Sequence, residues 1–234
     1  MQSNLLSMNN YLEIKNISKS YFNQKKLSVL KNLNFKFKMG KTYSLVGPSG
    51  SGKSTLLNIL SLIDRPSQGN IIINKTKINF DNINENDKLR SDNFGIIYQE
   101  KNLLNDFTAE ENIYLAGIAN GKSLDESIKL TNKILKKLNL SKRSNHFPSE
   151  LSGGENQRIA IARALINEPN VIIADEPSGN LDQKSAKEFF KLLFNIKSKN
   201  KIIIYATHNR YFANLADCRL QLINGKLKSI NARK

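Results

Sequence analysis

The fold of this chain is decided by one stretch, Gly47-Pro48-Ser49-Gly50-Ser51-Gly52-Lys53-Ser54-Thr55. It fits the pattern G-x-x-x-x-G-K-[ST] of a phosphate-binding loop. The short apolar run Thr42–Val46 before it predicts a strand, and the segment Lys53–Ile63 predicts a helix. A glycine-rich surface turn would not account for this strand–loop–helix context. The sequence therefore predicts a phosphate site within an α/β fold.

The residue types of this loop suit the binding of a polyphosphate. Gly47, Gly50 and Gly52 permit backbone conformations and a close approach that larger residues forbid. Consecutive amides can then surround a β-phosphate at the positive end of the following helix. Lys53 supplies a charge between the β- and γ-phosphates, and the Ser54 hydroxyl suits a Mg²⁺ ligand position. We therefore expect a nucleoside triphosphate and Mg²⁺ as ligands.

Two carboxylates follow a second apolar strand. The run Val171–Asp175 is continuously apolar up to its last residue, which is typical of a buried strand in a parallel sheet. Such a strand places Asp175 and the adjacent Glu176 at its carboxyl end, beside the phosphate loop. We expect Asp175 to hold Mg²⁺ through water. An ordinary Asp-Glu turn before Pro177 explains these residues alone, but not their combination with the loop.

A second glycine motif is Leu151-Ser152-Gly153-Gly154-Glu155, which begins the predicted helix Gly153–Ile166. Ser152 and two glycine amides at a helix start form a second anion site. An ordinary N-cap before an amphipathic helix describes the same residues. It does not explain why a chain with one phosphate site carries another.

In this order, the three motifs resemble the ATP-binding cassette of the ABC ATPases, and the resemblance extends from about Leu12 to Leu227. It implies an α/β fold: a P-loop NTPase (RecA-like) core with an N-terminal antiparallel β portion and an inserted helical subdomain. The chain would be a single ABC ATPase domain, with the core at about 1–88 and 168–234 and the helical subdomain at about 89–167. The ligands implied are ATP and Mg²⁺.

The resemblance also implies catalytic roles. Glu176 matches the general base that activates the attacking water, and His208 matches the switch histidine that contacts the γ-phosphate and orients Glu176. Gln99 matches the position that touches Mg²⁺ and senses the partner. The metal ligands implied are therefore Ser54, Gln99 and Asp175.

The resemblance also implies residues that act between two subunits and one that contacts the adenine of ATP. The loop Ser152-Gly153-Gly154-Glu155 would close over the γ-phosphate of ATP held by a second copy of the chain. Asp182 matches a loop that crosses the dimer interface, and Tyr21 matches the aromatic residue that stacks on adenine. A homodimer with two shared sites is the assembly implied.

The amino-acid composition indicates which kinds of partner have to be considered. Lys and Arg outnumber Asp and Glu by 36 to 20, for a net charge of +16, so nucleic acid and membrane surfaces have to be considered. The basic residues are scattered, and Lys, Asn and Ile are frequent throughout, as in AT-rich coding sequences.

The single cysteine, Cys218, indicates a reducing compartment. The first ten residues do not resemble a secretory signal, and no apolar run approaches the ~18–20 residues of a membrane span.

Three phrases narrow the resemblance to a bacterial group of ABC ATPases that act in lipoprotein release, macrolide export and cell division. They are residues 56–60 together with 64–69, residues 102–113, and residues 176–182. The phrases Thr207-His208-Asn209 and 146–150 favour the lipoprotein-releasing members. These imply integral membrane permease subunits as partners, a peripheral position on the cytoplasmic face of the bacterial inner membrane, and no direct nucleic-acid binding. The groove near Gln99 and Leu103–Thr108 would receive a short helix of the membrane subunit.

Two other classes of protein stay open at this point. A nucleic-acid- or ribosome-associated ABC ATPase would suit the charge, although such factors usually carry two cassettes and this chain has one phosphate loop. A phosphate-loop kinase or GTPase would work with a single complete site. A GTPase needs a guanine-selective motif such as N-K-x-D, which has no suitable place here.

Local signals predict several further elements. Ser123 and Glu126 predict a capping box at the start of a helix with one apolar face. The pair Asn224-Gly225 predicts a two-residue hairpin turn near the end. The remaining predicted elements are strands at Tyr11–Ile17, Leu33–Phe37, Gly69–Ile73 and Lys201–Thr207, and helices at Asp182–Ser198 and Arg210–Ala216.

Overall fold

Two β-sheets and seven α-helices form the described part of this computed structural model, residues 10–23, 25–99 and 102–230. The strands are β1 (Asn10–Asn23), β2 (Lys25–Lys38), β3 (Thr42–Val46), β4 (Gln68–Ile73), β5 (Thr76–Lys77), β6 (Phe94–Ile97), β7 (Val171–Asp175), β8 (Ile202–Ala206), β9 (Cys218–Ile223) and β10 (Lys226–Ile230). The helices are α1 (Lys53–Leu60), α2 (Ile83–Asn93), α3 (Ala109–Ala119), α4 (Leu124–Lys137), α5 (Gly153–Leu165), α6 (Gln183–Asn195) and α7 (Arg210–Ala213).

The first sheet is antiparallel and has the strand order β2-β1-β4-β5. In its middle, Ile14 of β1 pairs with Phe35 of β2 on one side and with Ile71 of β4 on the other. Ile14 and Ile71 are fully buried, so one face of this sheet packs into the core that also contains α1. The N-terminal antiparallel β portion predicted from the sequence is confirmed.

The second sheet has the order β10-β9-β3-β8-β7-β6. From β9 to β6 all its pairings are parallel, and only β10 runs antiparallel to its neighbour. Because parallel strands end at the same edge of a sheet, the segments after β3, β7 and β8 meet there. The phosphate loop follows β3, Asp175 and Glu176 stand at the end of β7, and His208 lies just after β8.

This second sheet is buried on both faces. In β7, Val171 and Ile173 belong to the core shared with α1, whereas Ile172 and Ala174 belong to the core shared with α5 and α6. Successive side chains of a strand point to opposite faces, which is why a continuous apolar run is needed here. The prediction of a doubly covered parallel strand is confirmed.

The terminal hairpin forms as predicted. Asn224 and Gly225 both have positive φ, 51° and 74°, as a type I′ turn requires. The turn pairs Lys226 with Ile223 and aligns β10 along β9.

Several helix boundaries differ from the sequence prediction. Helix α1 ends at Leu60 and not at Ile63, because Leu62 has a left-handed conformation with φ of 60° and turns the chain back. Helices α6 and α7 end at Asn195 and Ala213, each a few residues before the predicted end.

The capping box predicted at Ser123 is only half formed: Ser123 Oγ accepts the Glu126 amide at 3.2 Å. Glu126 is exposed, so water competes for its carboxylate.

The range 89–167 predicted for a helical subdomain contains α3, α4 and α5, which pack on one another. It also contains β6, which pairs in parallel with β7 at the edge of the second sheet. The division of the chain into a core and a subdomain stays a prediction, with β6 on the core side.

Candidate active site

The phosphate loop leaves β3 and enters α1 through Gly52, whose φ of 97° lies in the left-handed region. A Cβ atom at Gly52 would also lie 2.7 Å from Val29 Cγ1 of β2, so both backbone conformation and space require glycine. The Lys53 ammonium donates to the carbonyl oxygens of Gly47 at 3.0 Å and Pro48 at 3.1 Å. The loop therefore curls around a fixed positive charge.

The start of α1 differs from the starts of the other α-helices in the described ranges. Helices α2 to α7 each begin with a side-chain cap that accepts backbone amides: Asn82, Thr108, Ser123, Ser152, Asp182 and Asn209. Helix α1 begins at Gly52, which has no side chain to cap it. Its first amides are thus available to an external acceptor, and Pro48, Ser49 and Gly50 are exposed beside them.

Asp175 lies beside this loop, at the end of β7, as the sequence predicted. Burial raises the pKa of its carboxyl above the usual 3.8, while a hydrogen bond with Ser54 and the charge of Lys53 act in the opposite direction. Asp175 Oδ1 is buried and has no hydrogen-bond partner among the described protein atoms. A carboxylate oxygen without a hydrogen-bond partner and a neighbouring hydroxyl are together suitable ligands for Mg²⁺.

The described residues contain no cluster of three or more His, Cys, Asp or Glu side chains able to hold a metal. Mg²⁺ typically keeps waters and takes phosphate oxygens in such sites, together with one or two protein groups. Ser54 and Asp175 therefore fit a metal that arrives with a nucleotide.

Glu176 and His208 meet at the carboxyl edge of the sheet. His208 Nδ1 lies 2.9 Å from Glu176 Oε2, and the His208 amide donates to the same oxygen at 3.2 Å. Glu176 has a φ of 41°, a left-handed conformation that is costly for a residue with a Cβ. The surrounding structure holds this strained residue, whose amide donates to the Ala206 carbonyl of β8. The pairing that the resemblance implied between these two residues is present in the structure.

Gln99 follows β6 and lies beside Gly179, in the segment that follows Glu176. A Cβ atom at Gly179 would approach Gln99 Nε2 to 3.2 Å and the Glu176 carbonyl oxygen to 3.3 Å. Gln99 therefore shares one neighbour, Gly179, with Glu176. Its contact with a metal stays a prediction.

The second glycine motif lies elsewhere on the same chain. Ser152 begins α5 with a complete capping box: its hydroxyl accepts the Glu155 amide at 3.3 Å, and Glu155 Oε2 accepts the Ser152 amide at 2.8 Å. The box uses those two amides and leaves the Gly153 and Gly154 amides outside it. Ser152 lines an open cavity of about 260 Å³ with Asp182 and Glu188, and no phosphate-loop residue lines this cavity.

Glu155 is strongly acidic. Hydrogen bonds with the Ser152 hydroxyl and amide, and then the Arg143 guanidinium 2.8 Å away, lower the pKa of its carboxyl from 4.5 to about 2. The charge stabilises the start of α5 through the helix dipole as well. The fifth residue of the motif thus holds the loop in shape.

Asp182 has a local structural role in the single chain. It is the N-cap of α6, and its Oδ1 accepts the amides of Lys184 at 2.9 Å and Ser185 at 3.1 Å. Hydrogen bonds with Ser185 lower the pKa of the Asp182 carboxyl. Its place at a dimer interface stays a prediction.

Tyr21 is held beside α1. Its hydroxyl donates to Asp64 Oδ2 at 3.0 Å, and it is near enough to the Thr55 side chain for a further hydrogen bond. The ring is 42% exposed. Sequence reasoning included Asp64 only in a subgroup phrase and did not consider Lys19, whose ammonium lies over the ring, 4.9 Å from its centroid. No sequence signal joins Asp64 to the other two residues, because Lys19 and Tyr21 lie on β1 whereas Asp64 follows α1.

A second residue whose role the sequence did not indicate is Asn112 in α3, which entered the sequence analysis only within the phrase at residues 102–113. Its side chain is 2% exposed, and its Oδ1 accepts the Leu104 amide at 2.8 Å. Its Nδ2 donates to the carbonyls of Leu104, Phe107 and Thr108 at 2.9 to 3.0 Å. An asparagine at a buried position of a helix is the signal that could have identified it.

Among the residues described, no helix is both long and apolar enough to cross a membrane.

Comparison with known proteins places these features in a family. The family model described as ABC transporter matches residues 30–179. The lipoprotein-releasing system ATP-binding protein LolD of Wigglesworthia glossinidia brevipalpis is 44% identical over 229 residues, which cover 96% of this chain and 100% of that protein. The protein of the same name from Rickettsia bellii is 42% identical and covers 94% of this chain and 98% of its own.

Solved structures agree with the sequence comparison. A dimeric structure of a bacterial ABC transporter cassette has a TM-score of 0.86, with 36% identity over 95% of this chain and 99% of that one. A dimeric post-hydrolysis state of an ATP-binding cassette, bound to ADP and Pi, gives the same values.

Proposed function

This chain belongs to the ABC transporter family, and we propose that it is the ATP-hydrolysing subunit of a complex that releases lipoproteins from the bacterial inner membrane. The observation that carries the proposal is the 44% identity with a lipoprotein-releasing ATP-binding protein over that protein's whole length. The family membership itself makes the chain an ABC ATPase. The cargo is the part that is proposed.

The proposed chemistry is an in-line attack of water on the γ-phosphate of ATP. Glu176 accepts the proton of the attacking water, and His208 orients that carboxylate through the 2.9 Å contact. Lys53 and the uncapped amides of α1 stabilise the charge that builds on the phosphate oxygens. Glu176 and His208 are held in place at strand ends by their mutual contacts, which would reduce the reorganisation that the reaction needs.

Mg²⁺ would be held by Ser54 and Asp175, with Gln99 near, and would neutralise charge on the β- and γ-phosphates. The unpartnered Asp175 Oδ1 supports this assignment.

Two copies of the chain would share each site. The motif Ser152-Gly153-Gly154 presents amides at a helix start, away from its own phosphate loop, so its anion is proposed to be the γ-phosphate bound by the partner. The similar cassettes are described as dimeric. ATP would then hold two subunits together, and hydrolysis would release them.

The membrane partner is proposed to dock on the loop between β6 and α3. Leu104 and Phe107 are 48% and 38% exposed there, although Asn112 fixes the loop backbone. A fixed loop with exposed apolar side chains suits a short amphipathic helix. Through such a contact the chain would lie peripherally on the cytoplasmic face of the inner membrane.

The proposal is tested by reconstitution. The chain and the membrane proteins encoded beside its gene are placed in liposomes with a labelled lipoprotein, and a Glu176→Gln protein serves as the control. We expect ATP-dependent release of the lipoprotein only with the unmodified chain. ATPase activity stimulated by a macrolide or peptide, with no lipoprotein released, would support an exporter instead. A cell-division membrane protein as the sole stable partner would support that role.

The nucleic-acid alternative has its own test. The net charge of +16 predicts salt-dependent RNA binding if RNA is the partner. We expect weak binding that does not change ATP turnover. Tight binding that stimulates turnover would overturn the transport proposal.

A further inference from the structure

Three side chains from two separate elements form a cluster next to the phosphate-binding helix. Asp64, which follows α1, lies 2.6 Å from Lys19 Nζ and accepts the Tyr21 hydroxyl at 3.0 Å. Lys19 and Tyr21 are both on β1. The Lys19 ammonium lies over the Tyr21 ring, so each member of the cluster contacts the other two.

The position of Asp64 is fixed by the end of α1. The left-handed Leu62 reverses the chain, and the amides of Ile63 and Asp64 both donate to the Asn58 carbonyl, at 2.9 and 3.1 Å. Asp64 is thereby brought back beside the last turns of the helix. The same helix begins at the phosphate loop, so Asp64 is rigidly connected to that loop.

Lys19 is fixed as well. Its side chain is only 10% exposed, and its ammonium donates to Asp64 Oδ1 at 2.6 Å and to the Arg65 carbonyl at 2.7 Å. A cation at such a site is stable only when its charge and donors are satisfied. Both partners belong to the segment after α1, so Lys19 joins β1 to that segment.

These contacts hold the Tyr21 side chain at two points. Lys19 covers one face through a cation–π contact, and the bond to Asp64 holds the hydroxyl end. Tyr21 as a residue is 42% exposed, so part of it is accessible to a ligand. An aromatic ring fixed in this way stacks on a flat ligand without a loss of its own rotational freedom.

We propose that Asp64 and Lys19 are positioning residues that orient Tyr21 for stacking on the adenine base of ATP. Because Asp64 follows α1, the position of the stacking ring is thereby coupled to the helix that binds the phosphates. This inference rests on the proposed role of Tyr21 as the base-stacking residue. It assigns no contact between Asp64 or Lys19 and the nucleotide. Their effect on ATP binding passes through the ring.

The test compares a ligand with a base and a ligand without one. Dissociation constants of Mg–ATP and Mg–tripolyphosphate are measured on the whole chain with Asp64→Ala, and Asp81→Ala is the control because Asp81 is an exposed aspartate elsewhere. We expect Asp64→Ala to weaken ATP about fivefold and to leave tripolyphosphate unchanged. The KM for ATP should rise by a similar factor with kcat within about twofold. An unchanged affinity for tripolyphosphate also shows that the variant is folded.

Two further variants make the result specific. Asp64→Asn keeps an acceptor for the Tyr21 hydroxyl and should recover part of the ATP affinity. In a Tyr21→Ala background, Asp64→Ala should have no further effect, because the ring through which it acts is gone. Equal losses for ATP and tripolyphosphate would mean that Asp64 only supports the phosphate helix, and the inference would be overturned.

Failure of the inference and failure of its premise give different results. If Tyr21→Ala weakens ATP selectively and Asp64→Ala does not, the positioning role is wrong and the stacking role stands. If Tyr21→Ala leaves the ATP affinity unchanged, the stacking role itself is wrong, and the inference is overturned with it.

Discussion

Glu176 and His208 are 32 residues apart, yet one carboxylate oxygen, Glu176 Oε2, lies 2.9 Å from His208 Nδ1 and accepts the His208 amide at 3.2 Å. The two contacts fix the carboxylate from the backbone and from the side chain. The glutamate is held in a left-handed conformation with φ of 41°. Strain of this kind persists only where neighbouring structure enforces it, and it gathers at functional sites.

Replacement of the proposed base is the first prediction. Glu176→Gln removes the proton acceptor and keeps the size of the side chain, so turnover should fall by about 100-fold or more while ATP binding is retained. Steady-state phosphate release and equilibrium binding measure the two effects. His208→Ala should lower turnover less, because the backbone amide still contacts Glu176. Equal rates for Glu176→Gln and the unmodified chain would show that another group is the base.

The shared site gives the second prediction. Ser152→Arg places a bulky cation where the γ-phosphate of the partner's ATP is proposed to lie, so hydrolysis should fall by about 100-fold. Monomer affinity for ATP should not change. Ser123→Arg is the matched control, since Ser123 is also an exposed serine that caps a helix. A large loss of monomer affinity with Ser152→Arg would show that the motif serves its own subunit.

The buried charge of Asp175 should lower the stability of the nucleotide-free chain. Burial raises its pKa in the folded chain, so the folded protein binds a proton more readily than the unfolded chain does. The free energy of unfolding should therefore fall as pH rises from 3.8 through the raised pKa. Asp175→Asn removes this charge and should stabilise the nucleotide-free chain by about 1 kcal/mol at neutral pH, while Mg²⁺-dependent turnover is lost. Thermal unfolding and ATPase assays on one preparation measure both. A destabilised Asp175→Asn protein contradicts this account.

The contribution of Glu155 to the free energy of unfolding should depend on pH in the opposite direction to that of Asp175. Its pKa is lowered from 4.5 to about 2, so its stabilising contribution is present above pH 4.5 and disappears as pH falls toward about 2. Glu155→Gln keeps an acceptor for the Ser152 amide but loses the ion pair with Arg143. It should lower the free energy of unfolding by about 1 kcal/mol at pH 7. The difference between the two proteins should narrow during acid titration. A difference that widens toward low pH would contradict it.

The loop proposed to meet the membrane subunit depends on Asn112. Asn112→Ala removes four hydrogen bonds to the loop, so the loop should lose its fixed shape and stability should fall by about 1 to 3 kcal/mol. Basal ATPase activity should stay within about twofold, whereas stimulation by the membrane subunits should be lost. Ser127→Ala is the control, because the buried Ser127 hydroxyl has no hydrogen-bond partner in the described protein. Full stimulation of the Asn112→Ala complex would exclude this docking loop.

Sequence reasoning was most accurate where an element is encoded by adjacent residues. Strands β3 and β7 have the predicted bounds, and the Asn224-Gly225 turn has the predicted conformation. It was less accurate at helix ends, where Leu62 stops α1 without a glycine or proline to signal it. It also did not identify β6 inside the predicted helical range, because four residues carry no clear period.

The sequence by itself determined the phosphate loop and the family, because a glycine loop, its lysine and the flanking strand and helix are contiguous in the chain. Only the tertiary structure decided which distant groups meet there. The pairing of β3, β7 and β8 brings Asp175, Glu176 and His208 to one edge, and the reversal at Leu62 brings Asp64 to Lys19 and Tyr21. Such contacts depend on which strands pair and where a helix ends, and those choices are made by burial of the whole core, which no short stretch of residues encodes.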